Sequence, residues 1–234
     1  MLDWPAFGNA LWIVSDQLGI RPEWQLPVIY LETGGTFDPS ITNPHGCVGL
    51  NQLCPATYPG YVSVPVSVYR TWPASAQLAG PVLAYWRDAL KYGSIRSSTR
   101  LMLAQLGQGL LATAPSLDSV VFRSPTQEYQ QNAGFDTAGK GTITVQDLAD
   151  AMARQVSMPM VQAALAQAYA MRPGERVSDP VYGDDFLFVR PPAPIRRSTG
   201  MGGALLAAAA VAAAAGYASL MLYRAPIDRE PEYT

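Results

Sequence analysis

The sequence predicts a mainly α-helical protein that carries one membrane-spanning helix near its C-terminus. Three observations point there. Stretches at 5–18, 22–33, 75–91, 98–112, 142–157 and 159–171 read as helices from their apolar spacing and from the residues that bound them. Residues 201–223, MGGALLAAAAVAAAAGYASLMLY, carry no charge and are long enough to cross a hydrocarbon core of about 30 Å. A chain of 234 residues with 49% hydrophobic and 15% charged side chains can bury one sizeable core and carry smaller additions besides.

The first helix, 5–18, belongs to the stretch MLDWPAFGNALWIVSDQLGI, which contains Asp3 and no basic leader and so does not read as a secretory signal. The second, 22–33, opens with Pro22 and Glu23, both suited to a first helical turn, and continues into the apolar run Val28, Ile29, Tyr30 and Leu31. That run predicts burial on most sides. Gly34 and Gly35 supply the left-handed residue that commonly ends a helix, which places Glu32 in its last turn. Residues 36–48 read as loop, VGLNQLCPAT as a short strand or helix start, and YPGYVSVPVSVYRTWP as a Pro-punctuated aromatic stretch. Helices follow at 75–91 and 98–112, with loop from 113 to 141. Thr144 and Asp147, at capping-box spacing, announce the helix at 142–157, and one more runs over 159–171. From Arg172 to Gly200 the composition shifts to Pro, Arg, Gly and Asp, as in a semi-extended linker. The chain shows no internal repeat.

Several classes are disfavoured. A net charge of −2 offers no basic stripe for nucleic acid. Cys47 and Cys54 cannot make a disulfide framework and lack zinc-ligand spacing; a single clip and two buried thiols both stay open. Asp136 and Asp147 fit the two ends of a calcium-loop register, but Ala138 and Lys140 stand where oxygen ligands belong, so no metal is expected. His45 sits in an Asn-Pro-His-Gly turn and reads as a solvated loop residue. Trp72, Tyr85 and Trp86 suit either a sugar-stacking wall or the core. The 201–223 segment has no polar face for a water-exposed helix, and Ala208, Ala212 and Gly216 form a small-residue stripe along it.

The chemistry gathers around Glu32. Burial disfavours a charged carboxyl, and a helix C-terminus pushes the same way, so its pKa should rise toward the range of a general acid for glycosidic cleavage. Downstream come Phe37-Asp38-Pro39, a turn at Gly46, Gly49-Leu50-Asn51-Gln52-Leu53 and Pro55-Ala56-Thr57. This series, with Glu32-Thr33 at its head, resembles the lysozyme-like lytic transglycosylase family of peptidoglycan-cleaving enzymes over residues 32–57. The resemblance implies a lysozyme-like domain over 1–135; patterning and composition add a helical extension at 136–172, the linker at 173–200, the membrane helix at 201–223 and a charged tail at 224–234. It implies that Glu32 is the single catalytic acid/base, that Thr33 orients the sugar, and that Gly49, Asn51 and Gln52 line the substrate cleft. Asn51 stands where the family usually has Met.

The family's downstream Tyr-Asn-Ala-Gly segment corresponds to LAQLGQGLL, whose polar groups are Gln105 and Gln108, and Tyr85, Tyr92 and Tyr129 are alternatives for the missing Tyr. Asp38, in an Asp-Pro turn, reads as structural, not as a second catalytic carboxylate. The implied partners are peptidoglycan glycan strands, a lipid membrane through 201–223, and other virion proteins, with no cofactor. An enzyme for the wall acts outside the cytoplasmic membrane. A chain read as lacking an export signal is therefore expected in a virion membrane or in the bacterial envelope, delivered by a phage particle. A hydrolysing lysozyme, a release-stage hydrolase and a non-catalytic virion protein on the same fold are the alternatives.

Overall fold

A computed structural model describes residues 2–183. The first helix, α1 (Trp4–Leu18), starts where the Asp3 carboxylate accepts from the Ala6 N–H and stops at Gly19, whose φ is 70°. It is followed by α2 (Pro22–Glu32) and, after a long loop, by two single turns, α3 (Tyr58–Tyr61) and α4 (Val66–Tyr69). Next, α5 (Ala74–Gln77) runs through a π-turn at Leu78–Val82 into α6 (Leu83–Ala89). Pro81, which has no N–H to give a regular helix, lies inside that wider turn. Then come α7 (Ser98–Leu106), α8 (Leu110–Thr113), β1 (Val120–Arg123), α9 (Gln127–Asn132), β2 (Thr142–Thr144), α10 (Val145–Val156) and α11 (Pro159–Ala170).

The expected helices are present, and the architecture is mainly α. Three boundaries differ. The 98–112 helix breaks at Gly107 into α7 and α8. Residues 113–141 hold β1 and α9, and the β-branched run Thr142-Ile143-Thr144 forms a strand before α10 begins. β1 and β2 pair antiparallel, Arg123 opposite Thr142. The predicted cap is there: Thr144 and Asp147 bond each other's backbone.

The core is built around α2. This helix packs against α1, α7, α10 and α11, so every residue from Pro22 to Ile29 is buried and no single face is apolar. Leu26, Val28 and Ile29 each contribute about 1.5–3 kcal/mol of burial free energy. Because α10 and α11 enclose α2, residues 136–172 are part of the helical body.

Residues 176–181 also lie against that body. Glu23, 1% exposed, accepts from the Ser178 N–H and hydroxyl, from Arg21 Nε and from the Tyr169 hydroxyl. Trp24 Nε1 donates to Ser178 Oγ, the Ser98 N–H to the Pro180 carbonyl, and the Thr99 hydroxyl to the Val181 carbonyl. The segment read as the start of a linker at 173 is thus a strap across α2 and α7.

In the calcium-like register, Lys140 Nζ lies 2.8 Å from both oxygens of Asp147, while Asp136 accepts from the Lys140 and Gly141 N–H groups. Among the described residues no helix is long and apolar enough to cross a membrane. The expected span at 201–223 and the tail at 224–234 lie outside them.

Candidate functional site

Glu32 is the last residue of α2, and the chain beyond it is folded back by local hydrogen bonds. Gly34 and Gly35 take φ of 59° and 85°, and the Gly35 N–H returns to the Tyr30 carbonyl. The Thr33 hydroxyl donates to the Ile29 carbonyl at 2.7 Å and accepts from the Phe37 N–H at 2.9 Å. Asp38 Oδ1 accepts from the N–H and hydroxyl of Ser40, a local turn bond of the kind its Asp-Pro setting predicts. From Thr42 to Leu53 the chain makes two narrow antiparallel bridges, Thr42 with Val48 and Val48 with Leu53, and a disulfide joins Cys47 to Cys54. Of the two readings the cysteines left open, the clip is the one found.

A buried glutamine fastens this loop to the helices. Gln77, at the end of α5, accepts from the Leu50 N–H through Oε1 and donates through Nε2 to the carbonyls of Pro39 and Tyr69. Gly49 fits against it. A methyl group on Gly49 would come within 2.6 Å of Gln77 Oε1 and 2.7 Å of Tyr69 Cε1, and its φ of 82° is one that side chains rarely adopt. Gln52 follows with φ of 46°, held by its Nε2 donating to the Gly49 carbonyl at 2.8 Å. Strain of this kind collects where a loop's shape serves a site.

A cleft of about 330 Å³ lies between this loop and the start of the α7–α8 connection. One wall is Asn51, Gln52, Leu53, Cys54 and Thr57; the other is Gln105 to Gln108, with Tyr61 and Tyr85 between. Gln105 Nε2 donates to the Asn51 carbonyl across the gap, and Gln108 Nε2 to the Tyr61 hydroxyl and the Tyr85 carbonyl. The rings of Tyr61 and Tyr85 meet edge to face, 5.2 Å apart.

Glu32 stands beside this cleft, not in its lining. Part of its surface is open, yet the carboxyl is crowded by protein, and that burial pushes its pKa up to about 7 from an ordinary 4.5. Among the described residues no hydrogen bond or ion pair reaches the carboxyl. Its electrostatic neighbour is Tyr85, whose phenol is pushed upward first by burial, then by Tyr61 and then by the charge of Glu32. Tyr85, whose hydroxyl donates to the Ala104 carbonyl, is thus the cleft-lining residue within electrostatic reach of Glu32. Tyr92 is exposed, and Tyr129 donates to Asp136, so neither of these alternatives takes that place.

Of the residues expected to contact sugar, Asn51 and Gln52 line the cleft. Thr33 and Gly49 do not. Thr33 is fully buried with its hydroxyl committed to the helix end, and Gly49 faces Gln77 and Tyr69. Trp86 is fully buried and Trp72 packs on Tyr69, so of the three candidate wall aromatics only Tyr85 serves the cleft. Sequence reasoning missed Tyr61 and Gln77. Tyr61 was visible only as one ring in an aromatic stretch, and nothing local marks Gln77 as a buried hub.

A larger hollow of about 530 Å³ opens elsewhere, lined by Trp12, Arg21, Trp24 and Arg96 among others, and takes in the Arg172–Asp16 ion pair. It contains none of the residues expected to carry chemistry. No family model, curated protein or solved structure matches the chain.

Proposed function

We propose that this protein is a peptidoglycan lytic transglycosylase on a lysozyme-like fold, with Glu32 as its single acid/base. The observation that carries the reading is a lone carboxyl at a helix end, raised to about 7 by burial and set beside a cleft lined by carboxamides and tyrosines. At neutral pH such a group is protonated about half the time, so it can both give and take a proton. Glu32 protonates the oxygen linking N-acetylmuramic acid to N-acetylglucosamine, and the bond from the muramic C1 to that oxygen breaks. The carboxylate left behind removes the proton of the muramic C6 hydroxyl, whose oxygen bonds C1 to close a 1,6-anhydro ring. Glu32 is then protonated again, and no water is consumed.

The local bonding of Asp38 favours this route over hydrolysis. An inverting hydrolase needs a second carboxylate about 6.5–9.5 Å from the acid to activate water, and the nearby candidate is engaged with Ser40. Residues 201–223 would hold the enzyme at a membrane, in a phage particle or in the envelope it enters.

The test is mass spectrometry of products released from sacculi by the full chain and by Glu32→Gln. Anhydromuramic ends from the first, with a loss of about 10²-fold or more in the second, are expected. Reducing-end muramic acid would replace the mechanism with hydrolysis. A folded chain that binds glycan and releases nothing would make it a non-catalytic virion protein.

A further inference from the structure

The four carboxamides lining the cleft are not equivalent. Gln52 Nε2 donates to the Gly49 carbonyl, Gln105 Nε2 to the Asn51 carbonyl, and Gln108 Nε2 to Tyr61 and Tyr85. Each of these amide nitrogens is already bonded to protein. Asn51 is different. The residue is 1% exposed, and neither Oδ1 nor Nδ2 of its side chain has a hydrogen-bond partner. A buried amide left unpaired at both ends is costly, and one carried by a residue that lines a cleft gains from a ligand that satisfies it.

We infer that the Asn51 carboxamide is the specificity-determining contact for the acetamido-bearing edge of an N-acetylated hexosamine; the inference rests on the glycan-cleaving reading above. On such a sugar the C2 acetamido N–H and the neighbouring C3 oxygen offer a donor and an acceptor side by side. Asn51 presents the complement, Oδ1 to accept from the N–H and Nδ2 to donate to the oxygen. That oxygen accepts whether it is the free hydroxyl of N-acetylglucosamine or the ether of N-acetylmuramic acid, so the contact serves either residue. The carboxamide is shut off from bulk water, and the Gln105 bond to the Asn51 backbone carbonyl spans the walls beside it. On this inference the sugar edge displaces the Gln105 bridge to reach the carboxamide, and Leu53 and Leu106, apolar residues of the same lining, are the neighbours for the acetyl methyl.

A site that pairs with a specific polar edge rejects analogues that cannot supply it more strongly than an apolar pocket rejects a missing methyl. A free C2 amine, charged below neutral pH, would also have to lose its hydration in the cleft.

The experiment compares the full chain with Asn51→Met on native sacculi and on chemically de-N-acetylated sacculi at pH 6, measuring both clearing rate and binding. Thermal unfolding reports folding, and the variant should be no less stable than the parent because both unpaired groups disappear. The parent should prefer N-acetylated material, and Asn51→Met should narrow that preference about tenfold or more, the coupling between residue and substituent being the quantity read. An unchanged preference in an active variant overturns the inference and leaves the catalytic reading standing. A parent chain that neither clears nor binds either material overturns both.

Discussion

The crowded carboxyl of Glu32 works against the fold whenever it is charged. Its folded pKa of about 7 exceeds the unfolded value near 4.5, so the folded state holds the extra proton between these limits. The carboxyl adds no penalty below pH 4.5, and stability falls as pH rises toward and through 7, by about 3 kcal/mol in all. Glu32→Gln, neutral at every pH, should therefore match the parent in melting temperature at pH 4 and exceed it at pH 8; equal melting temperatures at both would mean the carboxyl is not buried as described. If Glu32 is the acid, Tyr85→Phe should lower kcat about tenfold with a smaller change in KM, because the cleft-lining phenol, which donates to the Ala104 carbonyl, lies within electrostatic reach of Glu32, and steady-state kinetics on soluble glycan would show the split. The position of Glu32 in the last turn of α2, and the upward push on its carboxyl, were legible from the apolar run before it and the two glycines after it. The direction in which Thr33 and Gly49 face was not, since that depends on Gln77, Tyr69 and the Ile29 carbonyl, which only the folded chain brings near.

At the scale of elements, the loop from 33 to 57 supplies one wall of the cleft, and its shape is imposed from outside as much as from within. Gln77 bonds the loop at Leu50 and Pro39, and the space it occupies dictates glycine at 49. Gly49→Ala should cost more than about 2 kcal/mol, from a strained φ and a close contact that backbone shifts must relieve. Denaturant unfolding would measure it, and a cost near zero would mean the loop is free to move off Gln77. Helix existence was readable where apolar spacing and caps agreed, as in α1 and α10. The buried α2 was readable by its unbroken apolar run. The strand β1 and helix α9 were hidden in a turn-rich stretch: their residues are half-buried or exposed, and the strand that pairs with β1 lies about twenty residues further on.

Considered whole, the described molecule is one helical body in which late sequence closes over early sequence. Composition suggested that folded structure ended near residue 172, because Pro, Gly and Arg dominate beyond it. What composition could not convey is that Glu23 and Trp24, buried in the first turn of α2, have partners waiting in Ser178 and Asp179. Glu23→Gln, which weakens a charge-assisted set of bonds, should lower stability by about 1–3 kcal/mol and expose the strap to limited proteolysis before the rest. Survival of the strap in that variant would assign its hold to Thr99 and Ser98 instead. The strap also fixes where mechanical load enters the protein. Tension applied to the chain beyond residue 183 is borne first at the Ser98, Thr99 and Glu23 bonds, and so arrives at the head of the helix whose tail is Glu32.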